Sequence, residues 1–326
     1  LAAGNELLSL GITTVHDPGI SAREARVMKT LAAEGVLPIR IYAMLAGAGS
    51  ELDAWGEPLL DFADGMFAVR AVKIYADGAL GSRGAALIDE YSDEAGNSGL
   101  LFADGQELGD AIAKSNEAGF QANVHAIGDL ANRVVLDGFE RVQNGQASAH
   151  RNRIEHAQIV ALEDIPRFAE LGIIASMQPV HATSDMNMAE DRLGGERIKG
   201  GYAWRRMLDA GVRVASGSDF PVEYPNPMLG LHAAVNRTDT AGNPMGGWYK
   251  DQALSRAEAL SSFTEEAAYA GHQEADLGRL ASGYRADFIV VDRDYFEIPA
   301  GEIWQIKVLE TWLGGERRYL AEEAGE

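Results

Sequence analysis

Seven short, β-rich apolar runs alternate with segments of helical spacing along most of this chain, and that alternation limits the fold more than any other feature. The strand candidates are Ile12–His16, Arg40–Met44, Val69–Tyr75, Gln121–His125, Arg153–His156, Ile173–Met177 and Arg213–Ser216. Helical patterns fall between most of them, at Ala22–Ala33, Glu107–Ala118, Ala131–Val142, Leu162–Leu171 and Trp204–Ala210. Gly35, Gly119, Gly172 and Gly211 each follow a helical run and precede the next strand, Gly35 by five residues and the others by one or two, the place of a helix stop. Strands joined by helices run parallel, so the expected class is α/β with a parallel sheet. Polar residues close several different strands and no G-x-G-x-x-G follows any of them, which favours a closed barrel over an open doubly wound sheet.

Seven strands is one short of the eight that close a (β/α)₈ barrel. The chain also begins without methionine, in the helical run Leu1–Leu10 that Gly11 ends, with no strand before it. The expectation is a (β/α)₈ TIM-type barrel lacking its first strand over residues 1–272, with an N-terminal part lying upstream that could carry a targeting signal. Two long stretches, Leu80–Asp104 and Pro179–Tyr202, are rich in Gly, Asp, Ser and Met and are expected to be irregular loops over the barrel mouth. After the proline-rich turn Pro221–Pro227 and a helical stretch Ser255–Ala270, short β-rich runs return at Phe288–Asp292, Val308–Leu313 and Arg317–Leu320. They suggest part of a small β-sandwich from residue 273 to 326, too few strands to stand alone.

Composition excludes more than it assigns. A net charge of −21 argues against nucleic-acid or anionic-membrane partners, and no apolar run approaches the length of a membrane span. A small-molecule substrate is the expected partner, and a homo-oligomer is left open. Without cysteine, any metal must be held by His, carboxylates or a modified Lys.

Lys73 sits near the end of its strand between Val72 and Ile74, where burying an ammonium is costly unless something uses it. A bland account has it snorkel to the barrel mouth or pair with Asp77. Against that, His125, His156 and Asp219 all stand where a later strand gives way to a loop, and imidazole with carboxylate is the donor set of a borderline-soft divalent cation. His181 in the second long loop is a candidate substrate contact, as is Arg83 in the first. His16 and His232 read as structural, and His150 and His272 as surface residues.

These residues carry a resemblance. Val72-Lys-Ile-Tyr-Ala-Asp-Gly-Ala-Leu-Gly-Ser-Arg83, Val124-His-Ala-Ile-Gly-Asp129, Arg153-Ile-Glu-His-Ala-Gln158, Met177-Gln-Pro-Val-His-Ala-Thr-Ser-Asp185, Gly217-Ser-Asp-Phe-Pro-Val-Glu223 and Leu277-Gly-Arg-Leu-Ala-Ser-Gly-Tyr-Arg-Ala-Asp-Phe288 resemble the amidohydrolase superfamily, in particular the amidohydrolase family 3 group of N-substituted formamide deformylase-like proteins. The resemblance implies a metal-dependent amidohydrolase that hydrolyses a non-peptide, amide-like C–N bond with a metal-activated hydroxide. It implies a divalent metal, zinc foremost, and a CO₂-derived carbamate on Lys73 that bridges two metal positions. His125 and His156 would bind one metal, and Asp219 would bind the other and shuttle the proton. The family's His-x-His pair occurs nowhere in this sequence; the missing first strand accounts for the gap, and this chain by itself is then expected to be inactive. The alternative is a non-catalytic relative that binds a small molecule or regulates. A weaker third reading is a glycosidase-like barrel using paired carboxylates such as Asp77 and Glu155.

Overall fold

The computed structural model describes residues 1–322. Its main sheet comprises β1 (Thr14–Ile20), β2 (Arg40–Ala46), β3 (Leu59–Phe62), β4 (Phe67–Tyr75), β5 (Gln121–Ala126), β6 (Arg153–His156), β7 (Ile174–Met177) and β8 (Val214–Ser216). Seven of these lie parallel in the order β1-β2-β4-β5-β6-β7-β8, and β3 pairs antiparallel with β4. Among the described residues β1 and β8 do not pair, so the sheet is a curled half-barrel with one open seam. Its curl is shown by Arg153 on β6, whose Nη1 lies 2.9 Å from His16 Nδ1 on β1.

Alternation along the strands sorts side chains to two environments. Phe67, Val69 and Val72 of β4 and Ala122 and Val124 of β5 face outward and pack with Ile112, Val135 and Phe139 of the covering helices, all of them at 0% exposure. Full burial of each large side chain of this set stabilises by roughly 1.5–3 kcal/mol. The inner face is different. Tyr42, Met44, Ala68 and Ala71 form a small apolar cluster there. Beside it lie the buried polar groups Gln121, Asn123 and Arg153. Tyr42 Oη and Arg153 Nε both donate to Gln121 Oε1, at 3.0 and 3.1 Å, so this interior is held by directional bonds as well as packing.

Helix Ala22–Ala33 starts with a capping box between Ser21 and Glu24, and helix Gly105–Glu117 with another between Asp104 and Glu107. Three expectations are corrected. Pro179–Tyr202 is not an irregular loop: it folds into helices Pro179–Asp185 and Ala189–Arg197 and a 3₁₀ turn at Ile198–Gly200. Ser255–Ala270 is two helices, Arg256–Phe263 and Glu265–Ala270, separated at Thr264. The first strand runs on through Asp17-Pro18-Gly19, because an edge strand tolerates proline and Gly19 takes up a bulge at φ 87°.

A second, antiparallel sheet of β9 (Phe288–Val291), β10 (Val308–Leu313) and β11 (Glu316–Leu320) has the order β11-β10-β9. Thr311 Oγ1 donates to the Leu8 carbonyl at 2.6 Å, tying this sheet to helix Ala2–Ser9. Arg40 Nε pairs with Asp287 at 2.7 Å, both buried, tying it to β2. No helix among the described residues is long and apolar enough to cross a membrane.

Candidate metal centre

The functional candidates gather at the C-terminal ends of the parallel strands, where barrel chemistry is built. Register sets Tyr75, His125 and Glu155 side by side on β4, β5 and β6, one pair of residues beyond Lys73, Asn123 and Arg153. His156, the last residue of β6, and Asp219, three residues past β8, have φ of 78° and 59°, a left-handed backbone that a non-glycine residue adopts only under constraint. Both residues carry candidate ligand atoms.

His156, His181 and Asp219 offer ligand atoms that all lie within 4.8 Å of one another. The His156 and His181 rings stack with centroids 5.9 Å apart and 19° between planes, while His125 meets His156 edge to face at 4.5 Å. His181 Nε2 is 3.8 Å from Asp219 Oδ2. His181 is therefore part of the donor cluster, a stronger position than the substrate contact expected of it. The helix Pro179–Asp185 carries it there, and only the Gln-Pro-x-His spacing at the end of a strand hints at it in the sequence.

The surroundings fit a cation. The Nε2 atoms of His125 and His181 are buried and make no hydrogen bond among the described residues, each facing a carboxylate oxygen, Asp77 Oδ1 at 3.4 Å and Asp219 Oδ2 at 3.8 Å. His156 Nδ1 lies 2.8 Å from Gln178 Oε1, an acceptor, so Nδ1 carries the proton and Nε2 is left with a free lone pair. Lys73 is buried at 5% exposure, and no hydrogen bond or ion pair engages its ammonium among the described residues. Its Nζ instead lies 5.0 Å over the Tyr75 ring. Burial lowers the Lys73 pKa, opposed by the Glu155 and Asp219 charges, and so favours the uncharged amine. Burial pushes His156 well below the usual histidine range, helped by His125 and Lys73, and holds His181 at about 4. It raises Asp219, against the pull of Lys73. The neutral imidazoles of His156 and His181 and the Asp219 carboxylate make a nitrogen and oxygen donor set suited to a divalent ion such as zinc.

Asp77 does not pair with Lys73. Its Oδ1 accepts from the Ile127 N–H at 2.9 Å, and its Oδ2 accepts from Ala86 at 2.9 Å and Gly128 at 2.8 Å. With both oxygens occupied, it braces the loop instead of acting as one of two free carboxylates. Gly128 is required here, since an added Cβ would meet the Ala86 carbonyl oxygen at 1.9 Å. Asp129 Oδ1 accepts from the Ile88 N–H at 2.9 Å, so His-Ala-Ile-Gly-Asp carries one donor and the fasteners of the 80–104 loop.

Arg83 is not brought to the cluster: its guanidinium pairs with Asp93 at 2.9 Å and Glu94 at 3.0 Å. Asp93 also pairs with Arg192, which joins the 80–104 loop to helix Ala189–Arg197. His16 and His232 hold structural bonds, His16 to Arg153 and His232 Nε2 to the Asp239 carbonyl oxygen at 3.1 Å. His150 and His272 are half-buried, and not surface residues, with His272 Nε2 3.2 Å from the His150 carbonyl oxygen.

The sequence profile described as "Amidohydrolase family" matches residues 2–319. YtcJ of Bacillus subtilis, an amidohydrolase by name, is 32% identical over 98% of this chain and 60% of its own length. N-substituted formamide deformylase of Arthrobacter pascens is 29% identical over 97% of this chain and 58% of its own. A crystal structure of an uncharacterized metal-dependent hydrolase from Pyrococcus horikoshii superposes with a TM-score of 0.81 at 32% identity, over 92% of this chain and 60% of that one. The chain thus spans about 60% of the length of these relatives.

Proposed function

The chain belongs to the amidohydrolase family, and from that premise we propose that its histidine cluster is the centre of a metal-dependent hydrolase acting on a non-peptide, amide-like C–N bond. In this reading residues 1–272 are the barrel body and residues 273–326 a separate small β unit. The observation that carries the proposal is the convergence of His156, His181 and Asp219 within 4.8 Å, beside a buried lysine whose ammonium makes no hydrogen bond or ion pair among the described residues.

His156, His181 and Asp219 would hold a divalent cation, with zinc first, and His125 and a carbamate on Lys73 would complete the set. The bound ion supplies a Lewis acid that lowers the pKa of water and polarises a carbonyl. Lys73 is suited to the carbamate because only an uncharged amine reacts with CO₂, and burial favours that form. Asp219, with its raised pKa, is placed to take a proton on Oδ2 and return it to the leaving nitrogen. The 80–104 loop and helix Ala189–Arg197 are joined through the Asp93–Arg192 pair.

The first substrates to try are N-substituted formamides, the class named by the Arthrobacter relative. The test assays a panel of N-formyl and N-acyl amines with metal-analysed protein, before and after chelation. Hydrolysis that chelator abolishes and zinc restores supports the proposal. Metal-free protein that hydrolyses nothing but still binds a panel member supports the non-catalytic reading instead.

A further inference from the structure

Asp77 follows β4 by two residues and is a carboxylate at 0% exposure that no lysine or arginine pairs with among the described residues. A carboxylate offers about four acceptor sites, two on each oxygen. Ala86 and Gly128 fill both on Oδ2, at 2.9 and 2.8 Å, and Ile127 fills one on Oδ1, at 2.9 Å. One site on Oδ1 remains, and the atom facing it is His125 Nε2 at 3.4 Å. That separation is long for a hydrogen bond, and a small rotation of the imidazole closes it.

The contacts of the ring decide which nitrogen carries the proton. Nε2 is sealed from solvent against the Asp77 oxygen, so a lone pair there would face a negative atom with no water between them. A proton on Nε2 turns the same contact into an attraction. The Tyr75 ring lies 5.4 Å from the His125 ring, and the His156 ring meets it edge to face at 4.5 Å. Nδ1 also makes no hydrogen bond among the described residues, but unlike Nε2 it is not sealed from solvent. The available lone pair of His125 is therefore on Nδ1. His156 is the reverse case, since Gln178 engages its Nδ1.

Building on the metal-centre reading of the histidine cluster, we propose that Asp77 is a positioning residue: it holds the His125 proton on Nε2 and so makes Nδ1 the atom that His125 offers to a cation. Partners of this kind orient a ligand imidazole and fix its tautomer at once. The same carboxylate grips the Ala86 N–H, so the order of the 80–104 loop and the aim of His125 depend on one group.

The test reads the tautomer directly, by long-range ¹H–¹⁵N correlation of the metal-free, histidine-labelled chain at about pH 8, where ordinary histidines are neutral. His125 is assigned by the signal missing from His125→Gln or, should that variant not fold, by its ring contact with Tyr75, which Tyr75→Leu removes. The expected result is a protonated Nε2 and a bare Nδ1. A proton on Nδ1, or exchange between the two nitrogens, overturns the proposal.

Asp77→Asn is the second arm. Two N–H groups hold the Oδ2 place against one at Oδ1, so the amide oxygen takes the first and its NH₂ faces His125. The His125 proton should then move to Nδ1, and zinc affinity, measured by competition with a chelator, should fall by about 10–100-fold. A carboxylate that only braced the loop would cost stability in this variant and leave the tautomer unmoved, and that result overturns the proposal. So does a moved proton with unchanged zinc affinity. Should Asp77→Asn not fold, the tautomer of the unaltered chain decides. Because that tautomer is read without metal, a chain that binds no zinc would end the hydrolase reading and leave this one to the spectrum.

Discussion

Gln178 Oε1 accepts from His156 Nδ1 at 2.8 Å while Gln178 Nε2 donates to the Ser176 carbonyl at 3.1 Å. The backbone carbonyl settles which way the amide faces, and the amide oxygen settles which imidazole nitrogen carries the proton. Removing this brace in Gln178→Ala frees the ring to rotate, and outer-shell partners of this kind are typically worth 10–100-fold in metal affinity. Competition with a chelator of known affinity measures the loss. An unchanged affinity would remove Gln178 from the site.

Calorimetric titration of this chain with zinc is expected to show a single tight equivalent, because one position has three converging donors and the family's His-x-His pair is absent from the sequence. His156→Ala and His181→Ala should each abolish tight binding. Two tight equivalents would mean that further residues, such as His16, enter the donor set.

Asp219→Asn should keep the fold, since asparagine tolerates the left-handed backbone at φ 59°. It removes the group that would take and return the proton, so turnover should fall by about 10²-fold or more wherever hydrolysis is measured. Near-normal turnover would assign that role elsewhere.

Acid should weaken the metal-free protein, with His181 as one identifiable cause. Burial holds its pKa at about 4 against 6.5 for an ordinary histidine, so on acidification the unfolded chain takes up the proton first. The stability from this group is present above pH 6.5 and is lost as pH falls from about 6.5 toward 4, by up to about 3 kcal/mol. The raised pKa values of Asp185 and Asp219 act in the opposite sense. Urea unfolding across this range should therefore show a smaller acid loss for His181→Asn than for the unaltered protein, and identical slopes would contradict the burial of a neutral ring.

Arg153 is 1% exposed and reaches His16, Gln121 and, at 3.7 Å, Glu155. Arg153→Met keeps most of its volume but leaves Glu155 as a buried, uncompensated charge, a change that typically costs about 3–5 kcal/mol. A shift of the urea midpoint measures it. A loss below 1 kcal/mol would show that water or protonation relieves Glu155.

The sequence by itself determined the parallel α/β architecture, because burial on one face of each helix and both faces of each strand imposes periods of 3.6 and near-continuous apolar runs. It also placed Lys73, His125, His156 and Asp219 near strand ends, since strand limits are local properties. Only the tertiary structure decided what those residues meet. His181 lies 25 residues beyond His156, yet the curl of the sheet and one short helix stack the two rings. Asp77 looked available to Lys73 four residues away, but three backbone N–H groups from the 80s and 120s claim it. Arg83 looked free for a substrate, and a fold-back of its own loop neutralises it. In each case the deciding partner is distant in sequence or is a backbone group, and neither leaves a mark in the local pattern of side chains.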